Sequence, residues 1–388
     1  MDYALTFEQQ ALQKLVRDFA EGEIRPVAPT LWAKEAFSIP LTEKMGKLGL
    51  MGILAPQEYG GLGLDPLSYI LVVEELARVS ASQAATVAAH NTLGVGPIAR
   101  WGSPQQKKKY LPDLCAGTKL WGFGLTEPDS GSDAGNARTT AALHGGRWVI
   151  NGAKIFITNA ATTMTAGSTV ECCTGTLPNG KKEISCLLVE QGTKGFTARP
   201  MHGKMVWRAS NTAELFFDNV AVPEDHLLGK RGEGFRQMLE TLDAGRLGIA
   251  AMALGGAQGA FEEGLRYAKS RKAFGTAIAG FQANAFKLAD CATQIAAARA
   301  LLYRACWLKA TGQPFAAEAA MAKLFCSQVF KLVADHAVQL HGGYGCMEEY
   351  PVATFYRDAK FLEIGEGTSE IQRLVIARHI GCFESSSA

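Results

Sequence analysis

The chain has 388 residues, with 39 basic and 37 acidic side chains and a net charge of +2. That length predicts two or three domains around a large buried core, and the 47% hydrophobic, 20% charged composition is ordinary for a globular protein. So balanced a charge predicts neither a nucleic-acid nor a membrane surface, and without an apolar run of about eighteen residues no membrane insertion is expected.

The pattern is helical from residue 7 to about 118. Phe7, Ala11, Leu15 and Phe19 recur at steps of four, and Leu71, Glu74, Glu75 and Arg78 mark a later helix, with breaks at Pro26, Pro29, Pro56, Gly60–Gly61 and Gly63. Lys107, Lys108 and Lys109 read as a solvated helix face. The N-terminus carries Asp2, Glu8 and Gln9 and lacks the basic and apolar regions of a signal peptide, which predicts a cytoplasmic or mature organellar protein.

From about 119 to 225 the period changes to that of strands. Trp148–Ile150, then Asn151-Gly152, then Lys154–Thr158 reads as a hairpin, because Asn-Gly tolerates the positive φ angles of a type I′ turn. Ile184–Val189 and Leu215–Phe217 read as further strands, and a small β barrel or sandwich accommodates them. From about 231 long helices return. Phe281, Leu288, Ile295 and Leu302 stand seven apart, with Ala285 and Ala292 between them, as in an interhelical seam of a bundle.

The nine cysteines show neither CxxC pairs nor metal spacing, and their odd number argues against a disulfide framework. They read as small buried hydrophobes in a reducing compartment. The seven histidines lack zinc-ligand spacing, so no metal is expected. Rossmann, P-loop and GxSxG signatures are missing. What stands out are five glycine-rich polar segments. They are Phe123–Asp133, the strand ending Phe156–Thr158, Arg271–Gly275, Gln339–Gly345 and Glu366–Gln372.

Taken in this order, these segments carry a resemblance. "LTEPDSGSD" (125–133), "NGAKIFITN" (151–159), "TLDAGRLGIA" (241–250) and "RKAFG" (271–275) resemble the acyl-CoA dehydrogenase family. "FKLAD" (286–290), "GGYGCMEEYP" (342–351), "YRDAK" (356–360) and "EGTSEIQR" (366–373) extend the likeness over the full length, nearest to the short-chain and branched-chain branch. The resemblance implies an α+β fold with a helical N-terminal domain (1–118), a β-barrel middle domain (119–230) and a C-terminal four-helix bundle (231–388), assembled as a homotetramer.

It also implies the chemistry, the FAD-dependent α,β-dehydrogenation of an acyl-CoA thioester to the trans-2-enoyl-CoA. Glu366 takes the α proton while its backbone N–H and a flavin hydroxyl hold the thioester carbonyl, the β hydride goes to flavin N5, and an electron-transferring flavoprotein takes the electrons. A carboxylate suits this role because exclusion of water raises its pKa. FAD contacts carried over from the family are Phe123, Leu125, Thr126, Ser132, Phe156 and Thr158. Arg271, Phe274, Gln282, Gln339, Gly342 and Gly343 follow, partly from a neighbouring subunit, with Thr368 and Glu370. Ser132, Asp243 to Arg246, and Gly367 are implied to hold the CoA thioester.

Three departures bear on the acyl group. Gly365 stands where the family commonly has Tyr, Lys204–Ala209 is unlike the usual segment, and so is 160–176. A missing ring beside the base leaves space for substrate or for another side chain, Trp207 being one candidate, and the first case predicts a short branched, cyclic or aromatic acyl group. Other readings are an oxygen-using oxidase or hydroxylase, or an enzyme cleaving an acyl substituent, on the same scaffold. A non-catalytic acyl-CoA-binding protein is a third.

Overall fold

The computed structural model describes residues 4–383. Helices run from Phe7–Phe19 to Pro104–Cys115, and their starts follow the sequence. Thr6 and Ser103 form capping boxes with Gln9 and Gln106, and Asp65 accepts from the Ser68 N–H to open the Pro66–Ala77 helix. In the first helix the stripe at steps of four is not the buried face. Phe7 and Leu15 are exposed, whereas Gln9 and Val16 turn inward. Polar anchors fix this rotation, because Gln9 donates to Asp65 and Arg17 forms two hydrogen bonds to Glu75.

Strands occupy residues 120 to 228 in one eight-stranded mixed sheet, whose hydrogen-bonded path runs from Phe196–Pro200 to Leu227–Leu228. Its inner face holds Trp148, Ile150, Val170, Leu187, Leu215 and Phe217. The Asn151-Gly152 hairpin expected from sequence does not form. Arg147–Thr158 is a single strand, antiparallel to Thr212–Pro223. Gly152 lies so close to Thr139 that a Cβ would meet its backbone 2.7 Å away. Asn151 spends its amide on the partner strand, accepting from the Asn219 N–H at 2.8 Å. The dipeptide therefore marks a close backbone approach beside a β-bulge and not a chain reversal.

That strand pair carries two bulges. Ile150 pairs with Val220 but Gly152 with Phe217, so the Thr212–Pro223 strand has one residue too many, near Asn219, whose φ is 51°. Lys154 pairs with Leu215 but Ile157 with Ala213, so here the surplus lies on the first strand, around Phe156 with φ 63°. On the Thr165–Thr176 strand of the same sheet Glu171 is 1% exposed, and neither carboxylate oxygen has a hydrogen-bond partner. Burial pushes its carboxyl up to about 8, against the pull of Lys154.

Three long helices follow, Gly234–Ser270, Gln282–Ala310 and Ala316–His341, and two short ones, Pro351–Phe361 and Ser369–His379. Leu288, Ile295 and Leu302 are buried as the heptad spacing predicts. Arg299 donates to Glu74 at 2.7 Å, tying this bundle to the Pro66–Ala77 helix. Cys115, Cys172, Cys186, Cys291, Cys306 and Cys326 are buried free thiols, whereas Cys346 and Cys382 are exposed. Among the described residues no helix is long and apolar enough to cross a membrane. No cluster of three or more metal-ligating side chains occurs among them either.

Candidate active site

Glu366 lies in the turn between the two short helices. The Ser369–His379 helix is capped by Thr368, whose hydroxyl accepts from the Ile371 N–H, so Glu366 has no capping duty. Glu366 and Gly367 both take left-handed backbone, with φ 52° and 98°. For a residue with a side chain that conformation is uncommon and has to be held by its surroundings. Two donors hold it. Lys323 Nζ and Gln372 Nε2, the latter at 2.8 Å, both donate to the Gly367 carbonyl.

The turn aims the Glu366 side chain at the Gly234–Ser270 helix, where Gly245 leaves the backbone bare. A Cβ built there would lie 2.0 Å from Glu366 Oε2 and 3.6 Å from Leu93. Leu93 comes from a π-helical segment, His90–Val95, an irregularity often found at functional sites. Glu366 Oε2 is buried and has no hydrogen-bond partner. Burial raises its carboxyl to about 7, and the charges of Lys323 and Arg246 restrain the rise. Arg246 is itself 4% exposed and paired to Asp243, with its Nε buried and unpartnered.

A second group gathers on the sheet. Phe123 is the next-to-last residue of the Leu120–Gly124 strand, and the loop after it, with Leu125 and Thr126, is fastened to the Phe156 bulge. Ile155 N–H donates to the Thr126 carbonyl at 2.9 Å. Lys154 Nζ donates to the Leu125 carbonyl at 3.0 Å and pairs with Glu127 at 2.8 Å. Glu127 also accepts from the N–H groups of Arg138 and Thr139. A buried pair with its remaining lone pairs satisfied is the arrangement that offsets desolvation. The bulge turns Phe156 outward, leaving it 59% exposed, so it is not barrel core. Thr158 stands two residues on, half-buried, and Ser132 is exposed on the loop.

A third group surrounds a cavity of about 730 Å³, lined by Arg271, Phe274, Gln339, Gly342, Gly343 and others. Phe274 is 97% exposed and has φ 51°. Gln282, exposed in the first turn of its helix, does not line this cavity, nor does any of the 123–158 residues. Glu370 is exposed, 3.6 Å from Arg373. An extended ligand bearing phosphates and a flat ring fits these features. They supply an outward aromatic, a guanidinium and two glycines with open space beside them.

Beside Gly365 the space is filled from within the chain. A Cβ on Gly365 would meet the Phe361 ring at 2.3 Å. Trp207 stands behind Phe361, ring centroids 4.1 Å apart, and so supports the filler without being it. The Trp207 N–H donates to Asp358 at 2.8 Å.

Several members of these groups escaped the sequence reading. Lys323 had a signal, a cation in the Ala-rich helical run 316–330. Glu127, Lys154 and Gly245 lay inside quoted motifs, yet nothing in their spacing announced a buried pair or a bare backbone.

Comparison with known proteins agrees in all three parts of the chain. Models of the acyl-CoA dehydrogenase N-terminal, middle and C-terminal domains match residues 6–118, 122–220 and 232–381. The probable acyl-CoA dehydrogenase YngJ of Bacillus subtilis is 48% identical over 380 residues, 98% of this chain and 100% of the relative. A short-chain specific acyl-CoA dehydrogenase of Clostridium acetobutylicum is 45% identical over 380 residues, with the same coverage of each. The structure of butyryl-CoA dehydrogenase from Megasphaera elsdenii superposes with a TM-score of 0.94 at 42% identity, covering 98% of this chain and 100% of that one. Matched from end to end, the chain belongs to the acyl-CoA dehydrogenase family and is a FAD-dependent oxidoreductase.

Proposed function

We propose that the protein dehydrogenates a short-chain acyl-CoA between its α and β carbons, with Glu366 as the base. The observation that carries this reading is the Glu366 carboxyl, whose Oε2 is buried without a partner and whose pKa is raised to about 7. A base so desolvated is matched to a weakly acidic α proton near neutral pH. The left-handed turn directs the Glu366 N–H as well as its carboxylate, and that N–H is the donor we assign to the thioester oxygen. Bound FAD would supply the acceptor for the β hydride.

Phe123, Leu125, Thr126, Ser132, Phe156 and Thr158 are assigned to the flavin end. Arg271, Phe274, Gln282, Gln339, Gly342, Gly343, Thr368 and Glu370 are assigned to its phosphates and adenine. Asp243, Arg246, Ser132 and Gly367 are assigned to the thioester. That none of the 123–158 residues lines the Arg271 cavity supports a FAD site shared between copies, hence a homo-oligomer of tetramer type. The domain limits we infer are 118/119 and 230/231, supported by the switch from helix to strand after Cys115 and back after Leu228. Electrons leave to an electron-transferring flavoprotein on this reading.

Because Phe361 occupies the place beside Gly365, the space left by the missing ring is not handed to substrate. That favours short acyl groups such as butyryl over branched, cyclic or aromatic ones, as do the names of the relatives. Anaerobic flavin bleaching across a panel of acyl-CoAs tests the reading. Wild type should bleach with butyryl-CoA and reoxidise slowly in oxygen. Glu366→Gln should keep its flavin and lose more than the roughly 10²–10⁴-fold of an ordinary general base, since water cannot enter to substitute. Near-normal bleaching in that variant would place the base elsewhere, and fast reoxidation would favour an oxidase.

A further inference from the structure

Lys323 is 1% exposed on the Ala316–His341 helix, and burying an ammonium is costly unless it is well paired. Among the described residues its hydrogen-bond acceptor is the Gly367 carbonyl, next in the chain after the base. Among the described residues it forms no ion pair within 4 Å with a carboxylate, although Glu366 is its strongest charged neighbour. Gln372 donates to the same carbonyl from the Ser369–His379 helix. These two donors thus fix the Gly367–Thr368 peptide group, which directly follows two consecutive residues of positive φ.

We infer that Lys323 is a positioning residue for the base: its ammonium clamps the Gly367 carbonyl, so locking the turn that presents Glu366, while its charge favours the ionised carboxylate beside it. The inference rests on Glu366 being the base. A neutral donor would suffice to hold the turn, and Gln372 already provides one. The second, charged donor adds a field at the carboxylate that Gln372 cannot.

Other groups face the pair. Glu366 is faced by Arg246 from the Gly234–Ser270 helix and by the Tyr69 phenol from the Pro66–Ala77 helix. Lys323 is faced by Arg246, Glu363 and Glu370 besides Glu366. Burial holds Lys323 down to about 8, so its charge is present across the neutral range in which the base must ionise.

The test uses the FAD-loaded enzyme and measures flavin bleaching by butyryl-CoA against pH, with the Glu366 carboxyl stretch read by infrared difference against Glu366→Gln. In Lys323→Met the acid limb of the rate profile and the infrared titration should both move to higher pH by on the order of one unit. Bleaching at neutral pH should fall at least tenfold. Lys323→Arg should restore the limb towards wild type. Gln372→Ala should slow bleaching and leave the limb in place, because it removes a clamp without a charge. If Lys323→Met does not retain flavin, the limb in Lys323→Arg decides: it stays near wild type under this inference. A wild-type limb and wild-type infrared titration in Lys323→Met would overturn the inference, as would a displaced limb in Gln372→Ala. Should Glu366→Gln still bleach, the assignment of the base fails first, and that result is independent of the Lys323 variants.

Discussion

The Glu366 carboxylate rests on the bare backbone of Gly245, so near that a single added carbon would fall 2.0 Å from Oε2. Gly245→Ala should therefore push the carboxylate aside without unfolding the helix, since alanine is the better helix former. Displacing a base by about 1 Å can cost on the order of 10²-fold in rate. Stopped-flow bleaching should show that loss with flavin content unchanged. A variant as fast as wild type would mean that the carboxylate works from another rotamer.

Acid should switch the enzyme off near neutrality. Burial raises the Glu366 carboxyl to about 7, favouring its neutral form, and only the ionised form accepts a proton. At limiting acyl-CoA, kcat/KM should fall as pH drops below about 7, approaching tenfold per unit well below it. A limb near the ordinary carboxylate value would show that the free enzyme's base is solvated.

Arg271→Ala should weaken FAD retention and assembly together if the cavity it lines is completed by a second copy. Size-exclusion chromatography with and without added FAD reads both effects. Normal flavin content in an unchanged oligomer would remove Arg271 from the shared site.

The buried Glu171 yields a stability prediction. Its folded pKa, about 8, lies above the unfolded value, so the folded state holds a proton that the unfolded state releases. The associated stability is present below the unfolded pKa and is lost as pH rises towards 8, at up to about 1.4 kcal/mol per unit. Glu171→Gln carries no such proton. Its melting temperature should gain on wild type progressively from pH 5 to pH 8 and keep a constant lead above. A lead that does not change with pH would show that Glu171 is ionised in the fold.

Sequence and structure agree best where one local cause decides. The seam at Leu288, Ile295 and Leu302 follows from spacing alone, and the capping boxes at Thr6 and Ser103, though not read from the sequence, rest on an equally local residue pattern. Asn151-Gly152 misled because the same dipeptide serves a reversal or a close strand approach, and only the partner strand decides between them. Phe361 filling the place beside Gly365 joins residues four apart, yet the ring it packs against, Trp207, is far off in sequence. The Glu127–Lys154 pair was hidden for the same reason: its members lie in two separate motifs and meet only in the folded sheet.

The two bulges between Arg147–Thr158 and Thr212–Pro223 cancel. Pairing partners are offset by one residue between them and return to the original frame at Ile157 and Thr158. The surplus near Asn219 thus carries a counterweight around Phe156, and both ends of the ribbon keep step. Losing one surplus residue would set the Thr158 end a residue out of phase, exchanging inward and outward faces at that end of the ribbon. Losing both would preserve the phase at each end while erasing the outward Phe156. Length variation in this ribbon is therefore tolerable only in matched pairs, so natural or engineered insertions on one strand should be accompanied by an insertion on the other.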